Sequence, residues 1–374
     1  MTSLATHARD LDALSRQKRR RRLIPRAGLD FSSNDYLGLA SSPRLRQAMA
    51  EALARGVPLG SGGSRLLRGN HAEHEALERE AAAFFGTQSA LFFSSGYAAN
   101  AALLSTLPQR GDLIVADALI HASSHEGMRL SRAESRIAAH NDVDAFERAI
   151  ADWRRDGGRG TVWIAVESLY SMEGDLAPLD DFAALADRRD VMLVIDEAHA
   201  TGVFGPDGRG LAAHLDGRAN VITMRTCGKA MGCEGALVCG PAIACDFLVN
   251  RGRAFIFSTA PSPLMAAGVR AALRLLRDEP ERRARLKALV AHAEMVLAPL
   301  GAVATGSQIL PVILGGDERT MAVAARLQEA GFDVRGIRPP TVPAGTSRLR
   351  ISLTLNVDEA AVTALADAVR EALA

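Results

Sequence analysis

The sequence predicts an α/β fold: a mostly parallel sheet flanked by helices, followed by a smaller α+β unit at its C-terminal end. Three observations predict it. Apolar runs at 90–93, 112–116, 161–167, 191–195 and 221–224 are too short for buried helices. Several of them end in polar or charged residues, which marks strands covered on both faces. Helix-forming stretches at 74–85 and 179–189 lead into such runs, and strands alternating with helices call for a mostly parallel sheet joined by right-handed crossovers. Beyond about residue 276 the pattern changes to short strands and helices in mixed order. The chain of 374 residues therefore divides into an N-terminal arm (1–40), a large unit (41–276) and a small unit (277–374).

The elements follow in order. Residues 2–22 read as an amphipathic helix that ends in Lys18-Arg19-Arg20-Arg21-Arg22 and is stopped by Pro25. Such a basic run is either a solvated face or a contact for an anionic partner. Residues 30–39 form an extended segment and a turn. Ser42-Pro43 opens a helix with a capping hydroxyl and a proline at the first position. Residues 60–65 are a flexible glycine-rich loop. Strand 90–93 runs into Ser94-Ser95-Gly96, a strand-to-helix turn whose free backbone N–H groups suit a phosphate, with Gly96 permitting close approach. No lysine and no P-loop spacing stand there, so a monophosphate fits better than a nucleoside triphosphate. Residues 235–240 read as a strand, 255–261 as extended, and 263–277 and 281–297 as helices. The small unit is built from 308–314, 320–330, 332–334, 349–353 and 357–373.

Composition narrows the function classes. Apolar residues make up 48% of the chain, which is globular usage, and the net charge of +1 gives no bias toward nucleic acid or membrane. No stretch approaches the roughly 20 apolar residues of a membrane span, and the first residues lack a secretory pattern. Cys227, Cys233, Cys239 and Cys245 match no zinc spacing and sit among apolar or glycine residues. They read as free thiols of a cytoplasmic protein, with no metal. A dinucleotide-binding dehydrogenase is excluded by the missing G-x-G-x-x-G after a first strand.

The chemistry concentrates between Val191 and Lys229. Asp196 and His199 follow one apolar run, and Lys229, between Gly228 and Gly232, follows another. Ligands of open α/β sheets sit off the carboxyl ends of strands. A lysine in small, apolar surroundings loses part of its solvation, which lowers its pKa toward a nucleophilic amine. A lysine that forms a Schiff base and a carboxylate that keeps a pyridine nitrogen protonated are what pyridoxal phosphate requires. His121, just past the strand 112–116, is placed to stack on such a ring.

The motifs Asn34-Asp35-Tyr36-Leu37-Gly38, Gly60-Ser61-Gly62-Gly63-Ser64-Arg65, Ser95-Gly96-Tyr97-Ala98-Ala99-Asn100, Asp196-Glu197-Ala198-His199 and Thr226-Cys227-Gly228-Lys229 occur in this order over most of the chain. Together they resemble the α-oxoamine synthases, which are fold-type I pyridoxal-phosphate enzymes. The resemblance implies that Lys229 holds the cofactor, Asp196 pairs with its ring nitrogen, and His121 and Ala198 flank its faces. His199 and Ser171 would bond its phenolic oxygen, and Gly96, Tyr97 and Thr226 its phosphate. Ser258 and Thr259 would reach the phosphate of a neighbouring subunit, which implies a homodimer with shared sites. Asn34 and Arg350 would hold an amino-acid carboxylate. The stretch from Arg338 to Thr346 resembles the members that condense L-alanine with a pimeloyl thioester, carried on coenzyme A or a carrier protein, in biotin biosynthesis. Arg21, Arg338 and Thr341 would then meet the acyl donor. Two alternatives remain open at this stage: a glycine-using sister enzyme (glycine C-acetyltransferase or 5-aminolevulinate synthase), and a non-catalytic regulatory module on the same fold. The segment between Pro25 and Phe31 is shorter than in typical relatives, and Glu234 stands where they carry a small or apolar residue.

Overall fold

The structure is a computed structural model that describes residues 4–17 and 19–374. Its main sheet has seven strands: β1 (Ser89–Phe93), β2 (Leu113–Asp117), β3 (Glu134–Ala138), β4 (Val162–Glu167), β5 (Met192–Asp196), β6 (Val221–Thr226) and β7 (Ala236–Gly240). The spatial order is β1-β7-β6-β5-β4-β2-β3. β7 runs antiparallel to both of its neighbours and the remaining pairs are parallel. Side chains alternate across the strands. Leu113 and Val115 enter one core with Phe146, Ile150 and Phe182, whereas Ile114 and Ala116 enter the opposite core with Leu103 and Leu104. Burial on both faces explains why these strands are continuously apolar.

A second sheet of three antiparallel strands follows, in the order β9-β10-β8: β8 (Ile309–Gly315), β9 (Arg335–Ile337) and β10 (Ser347–Ser352). Residues Leu29–Asp30 pair in parallel with Phe332–Asp333 and fasten the arm to this region. The helices Pro263–Asp278 and Pro280–Leu297 meet at Glu279, which caps both. One apolar cluster joins Leu77, Val269, Leu286, Val312, Leu349 and Val362, so a continuous core connects the two sheets' surroundings.

Some expectations need correction. The first helix, α1, spans only Ala5–Arg16; Thr2 and Lys18 lie outside the described residues, and Arg19 to Arg22 are not helical. Adjacent cations repel at helical spacing, and Arg19 turns to Asp317 at 2.7 Å instead. The loop 60–65 is tied down: Ser61 Oγ donates to the Ala260 carbonyl at 2.6 Å, and Arg65 holds Glu78 through two contacts of 2.8 and 2.9 Å. Residues 253–256, expected in part to be extended, form a helical turn. The edge strand β3 has no apolar run because its side chains are mostly exposed. Three further helices frame the sites below: α2 (Pro43–Ala54), α3 (Ala72–Phe85) and α4 (Gly96–Thr106), with α5 (Ala122–Leu130) packed on α4. No helix among the described residues is long and apolar enough to cross a membrane.

Candidate active site

The carboxyl ends of the parallel strands converge on a cleft of about 160 Å³ lined by Asp196, His199, Lys229, His121, Glu167 and Thr226, with Gly96 and Tyr97 at one end. β5 delivers Asp196 and β4 delivers Glu167; the two are direct neighbours in register. Lys229 sits on the connection from β6 to β7, which is pinned by three backbone bonds: Cys227 N to Gly235 O (2.8 Å), Gly232 N to Lys229 O (2.8 Å) and Cys233 N to Cys227 O (2.9 Å). Gly232 is required there. Its φ is +62°, and a Cβ would lie 2.3 Å from the Ala40 nitrogen.

Charge is distributed unevenly across the cleft. Asp196 accepts from Asn100 Nδ2 (2.7 Å) and from the Ala198 amide (2.8 Å). Glu167 is buried, and its Oε1 has no hydrogen-bond partner. Burial first, and the neighbouring Asp196 second, push its carboxyl well above the usual range. Lys229 is half-buried as a residue but its amine is enclosed, and desolvation lowers its pKa from 10.5 to about 8 against the pull of Asp196.

His199 Nε2 lies 2.6 Å from Lys229 Nζ, and His199 Nδ1 lies 2.6 Å from the Tyr36 hydroxyl. Burial, together with the Lys229 and Arg350 charges, holds His199 neutral by taking its pKa well below the usual value. Tyr36 donates to Asn34 Oδ1 (3.0 Å), which also accepts from Arg350 Nη2 (3.2 Å). Arg350 is fixed in turn by the Ser171 carbonyl and Ser352 Oγ, both at 2.6 Å. His121 caps α5; its Nδ1 accepts from the Ser123 amide (3.2 Å) and lies 2.8 Å from Ser123 Oγ, and burial lowers its pKa. The Ser123 contacts fix the imidazole where it lines the cleft. At the far end Ser95 caps α4 by accepting from Ala98 N (3.1 Å), leaving the amides of Gly96 and Tyr97 ahead of the first intrahelical bond.

Lys229, Asp196, His199, His121, Gly96, Tyr97 and Thr226 are brought together as expected from the sequence, and Asn34 and Arg350 join them through Tyr36. Ser171 contributes its backbone carbonyl to Arg350. Arg21 Nη2 meets Thr341 Oγ1 at 3.4 Å, and Arg338 stands beside the cis Pro339–Pro340 bond. Ser258 and Thr259 are not at this cleft; they line another, of about 360 Å³, with Leu66, Leu67 and Phe257. Tyr36 and Asn100 stand in the sequence motifs without a role, and Glu167 and Gln308, whose Nε2 donates to the His199 carbonyl at 2.8 Å, were read only as strand residues. Asn100 had a legible signal, being a polar residue one turn after Gly96 and directly before the apolar run Ala101-Ala102-Leu103-Leu104.

The sequence matches the family described as aminotransferase class I and II over residues 26–369. Two curated relatives are both 8-amino-7-oxononanoate synthases. That of Anaeromyxobacter dehalogenans is 44% identical over 369 residues, covering 94% of this chain and 92% of the relative. That of Geobacter sulfurreducens is 45% identical over 333 residues, covering 87% and 84%. Among solved structures, a serine palmitoyltransferase from S. paucimobilis with bound PLP–myriocin aldimine superposes with a TM-score of 0.90 at 26% identity, over 99% of this chain and 97% of that one. The 8-amino-7-oxononanoate synthase of Francisella tularensis gives a TM-score of 0.77 at 27% identity, over 92% and 98%. The chain belongs to the class I and II aminotransferase family, within its α-oxoamine synthase group.

Proposed function

We propose that this chain is a pyridoxal-phosphate enzyme that condenses L-alanine with a pimeloyl thioester, releasing carbon dioxide and the carrier thiol and forming 8-amino-7-oxononanoate for biotin synthesis. The observation that carries this reading is one cleft lined by an enclosed lysine amine, a doubly hydrogen-bonded aspartate, two histidines and a helix N-terminus. The names of the curated relatives at 44–46% identity support the choice of substrates.

The residues fit the cofactor on their own chemistry. Gly96 and Tyr97 offer unpaired amides to a phosphate, aided by the Thr226 hydroxyl. Asp196, oriented by two donors, suits a protonated ring nitrogen, and His121 and Ala198 offer flat or small surfaces to the ring. His199, with Ser171, would hold the phenolic oxygen. When bound, pyridoxal phosphate supplies an aldehyde for amines and a ring that withdraws electrons from the substrate α-carbon.

The remaining work falls to side chains. Arg350, its fork locked by Ser171 and Ser352, pairs with Asn34 to bind the carboxylate of alanine at two points. Lys229, with its pKa near 8, is partly neutral at neutral pH and takes the proton from the α-carbon. The same amine returns a proton once carbon dioxide has left. Arg21, Arg338 and Thr341 are assigned to the acyl donor. Ser258 and Thr259 are assigned to the phosphate in a second subunit of a homodimer. The exposed Leu67, Phe257 and Tyr97 beside their cleft and the main cleft support that assembly. Residues 41–276 and 277–374 act as the large and small units around the cleft, and the four free thiols suit a reducing cytoplasm.

The test is a spectral titration of the purified yellow protein with L-alanine and with glycine, followed by pimeloyl-CoA. Absorbance changes with alanine, and product only when the thioester is added, are expected. Turnover with glycine and short acyl thioesters, and none with alanine, would move the assignment to a sister enzyme.

A further inference from the structure

We infer that His140 is a positioning residue for the amino-acid substrate: it ties the loop 168–176 to the end of β2, and that loop's Ser171 carbonyl fixes the guanidinium fork of Arg350. The inference rests on the reading above in which Arg350 holds the amino-acid carboxylate. His140 itself does not line the cleft of Lys229. It acts through the backbone of the loop.

One end of this latch is stiff. Asp117 closes β2 and is fully buried. Its Oδ1 accepts from the Leu119 amide (2.8 Å) and from His140 Nδ1 (2.9 Å), and its Oδ2 accepts from the Asn141 amide (2.8 Å). The other ring nitrogen, His140 Nε2, donates to Asp175 Oδ2 at 2.8 Å. Asn141 Nδ2 donates to the same oxygen (3.0 Å) and to the Leu176 carbonyl (3.2 Å). With a carboxylate at each ring nitrogen, both nitrogens donate, so the ring is a cation and both bonds are charge-assisted. Although burial opposes the charge, these bonds raise the His140 pKa to about 10, and the latch is closed at neutral pH. The Tyr170 ring packs edge-on against the imidazole, with centroids 4.4 Å apart.

The other end of the latch meets the substrate arginine. Tyr170 leads directly into Ser171, whose carbonyl accepts from Arg350 Nε at 2.6 Å. Arg348 Nη1 holds the next two residues, through the Met172 carbonyl (3.1 Å) and Glu173 Oε1 (2.9 Å). Arg348 and Arg350 are two apart on β10, so they share one face of the strand and meet the loop together. Inside the loop, the Tyr170 amide donates to the Asp175 carbonyl (3.0 Å) and the Gly174 amide to the Tyr170 carbonyl (2.9 Å). A displacement of Asp175 is therefore passed to Tyr170 and on to Ser171. Ser307 Oγ holds the Gly174 carbonyl separately, at 2.8 Å, so opening the latch loosens the loop without releasing it. The Arg350 fork then loses the fixed point at its Nε and keeps the one at Ser352.

The experiment compares the cofactor-loaded wild type with His140→Gln and Asp175→Asn. The first variant cannot donate to both carboxylates. The second weakens only the loop end and leaves the Asp117 end intact. In both, the KM for alanine should rise roughly tenfold, while kcat and the KM for pimeloyl-CoA stay within about twofold. In an Arg350→Lys background the same substitutions should change the KM for alanine by less than about twofold, because the fork they act through is gone. Hydrogen exchange, read without substrate, should be faster at the Tyr170 and Gly174 amides of both variants and unchanged in β4 and β5. A fall in melting temperature with an unchanged KM for alanine overturns the positioning role, as does a rise in that KM of equal size with and without Arg350. Unchanged exchange in the loop overturns the latch itself. Asp175→Asn decides alone if His140→Gln does not fold. If the chain uses glycine in place of alanine, the same ratios are read with glycine, and the exchange result needs no substrate, so the two readings fail separately.

Discussion

Lys229 carries a pH-dependent cost that can be measured in the cofactor-free protein. Its pKa falls from 10.5 to about 8 because its amine is enclosed. A depressed folded-state pKa means that the unfolded chain binds more protons between pH 8 and 10.5. Stability must therefore rise with pH across that window. The difference of 10.5 − 8, at about 1.4 kcal/mol per unit, makes the buried ammonium cost about 3 kcal/mol at pH 7 and nearly nothing at pH 10.5. Lys229→Met removes the titrating group. Urea unfolding of the cofactor-free wild type and variant should show the wild type gaining about 3 kcal/mol relative to the variant as pH rises from 7 to 10.5. The gain should be concentrated above pH 8. A stability difference that stays constant across the window, or moves the other way, would refute the claim that the amine is enclosed and would remove the basis for its action as a base.

Three further outcomes are expected. Asp196→Asn keeps the acceptor for the Ala198 amide but loses the charge; turnover should fall roughly a thousandfold with the circular dichroism unchanged, an effect of the size seen when one electrostatic stabiliser is removed. Arg350→Lys keeps the charge but loses the fork held by Ser171 and Ser352; steady-state kinetics should show the KM for alanine rising roughly 10- to 100-fold, with a smaller change for the acyl donor. His140 lies between Asp117 (2.9 Å) and Asp175 (2.8 Å), and although burial opposes it, their hydrogen bonds raise its pKa to about 10. A raised folded-state pKa gives stability that is full below pH 6.5, declines between pH 6.5 and about 10 and is absent above. Unfolding curves for His140→Gln should therefore converge with those of the wild type as pH approaches 10.

Residues that speak through sequence-local pattern were readable. The central strands were legible because both of their faces are covered, which forces continuous apolar runs. Asp196 and Lys229 were legible because each breaks the apolar pattern at or soon after a strand end. Glu167 also closes a strand, yet its meaning depends on lying beside Asp196, a pairing that only the sheet order supplies. Tyr36 and Gln308 reach His199 from residues 163 and 109 positions away, so no local pattern announces them. The exposed strand β3 and the helix Val143–Arg155 differ in how much of them the sequence carries. The strand lacks an apolar run. The helix shows a clear stripe, Phe146, Ile150 and Trp153, at helical spacing and was simply unread.

The short connection from β6 to β7 has a kinetic meaning. On the role proposed above, Lys229 would have to leave its partner and return to it in each cycle. There the search would be confined to rotations of one side chain, because the Cys227, Gly232 and Cys233 amides are already bonded and Gly232 is wedged against Ala40. The amine behaves as a reagent on a leash, present at an effective concentration no dissolved amine reaches. Lengthening the leash, by residues inserted between Gly228 and Gly232, would slow recapture even if every side chain in the cleft stayed in place.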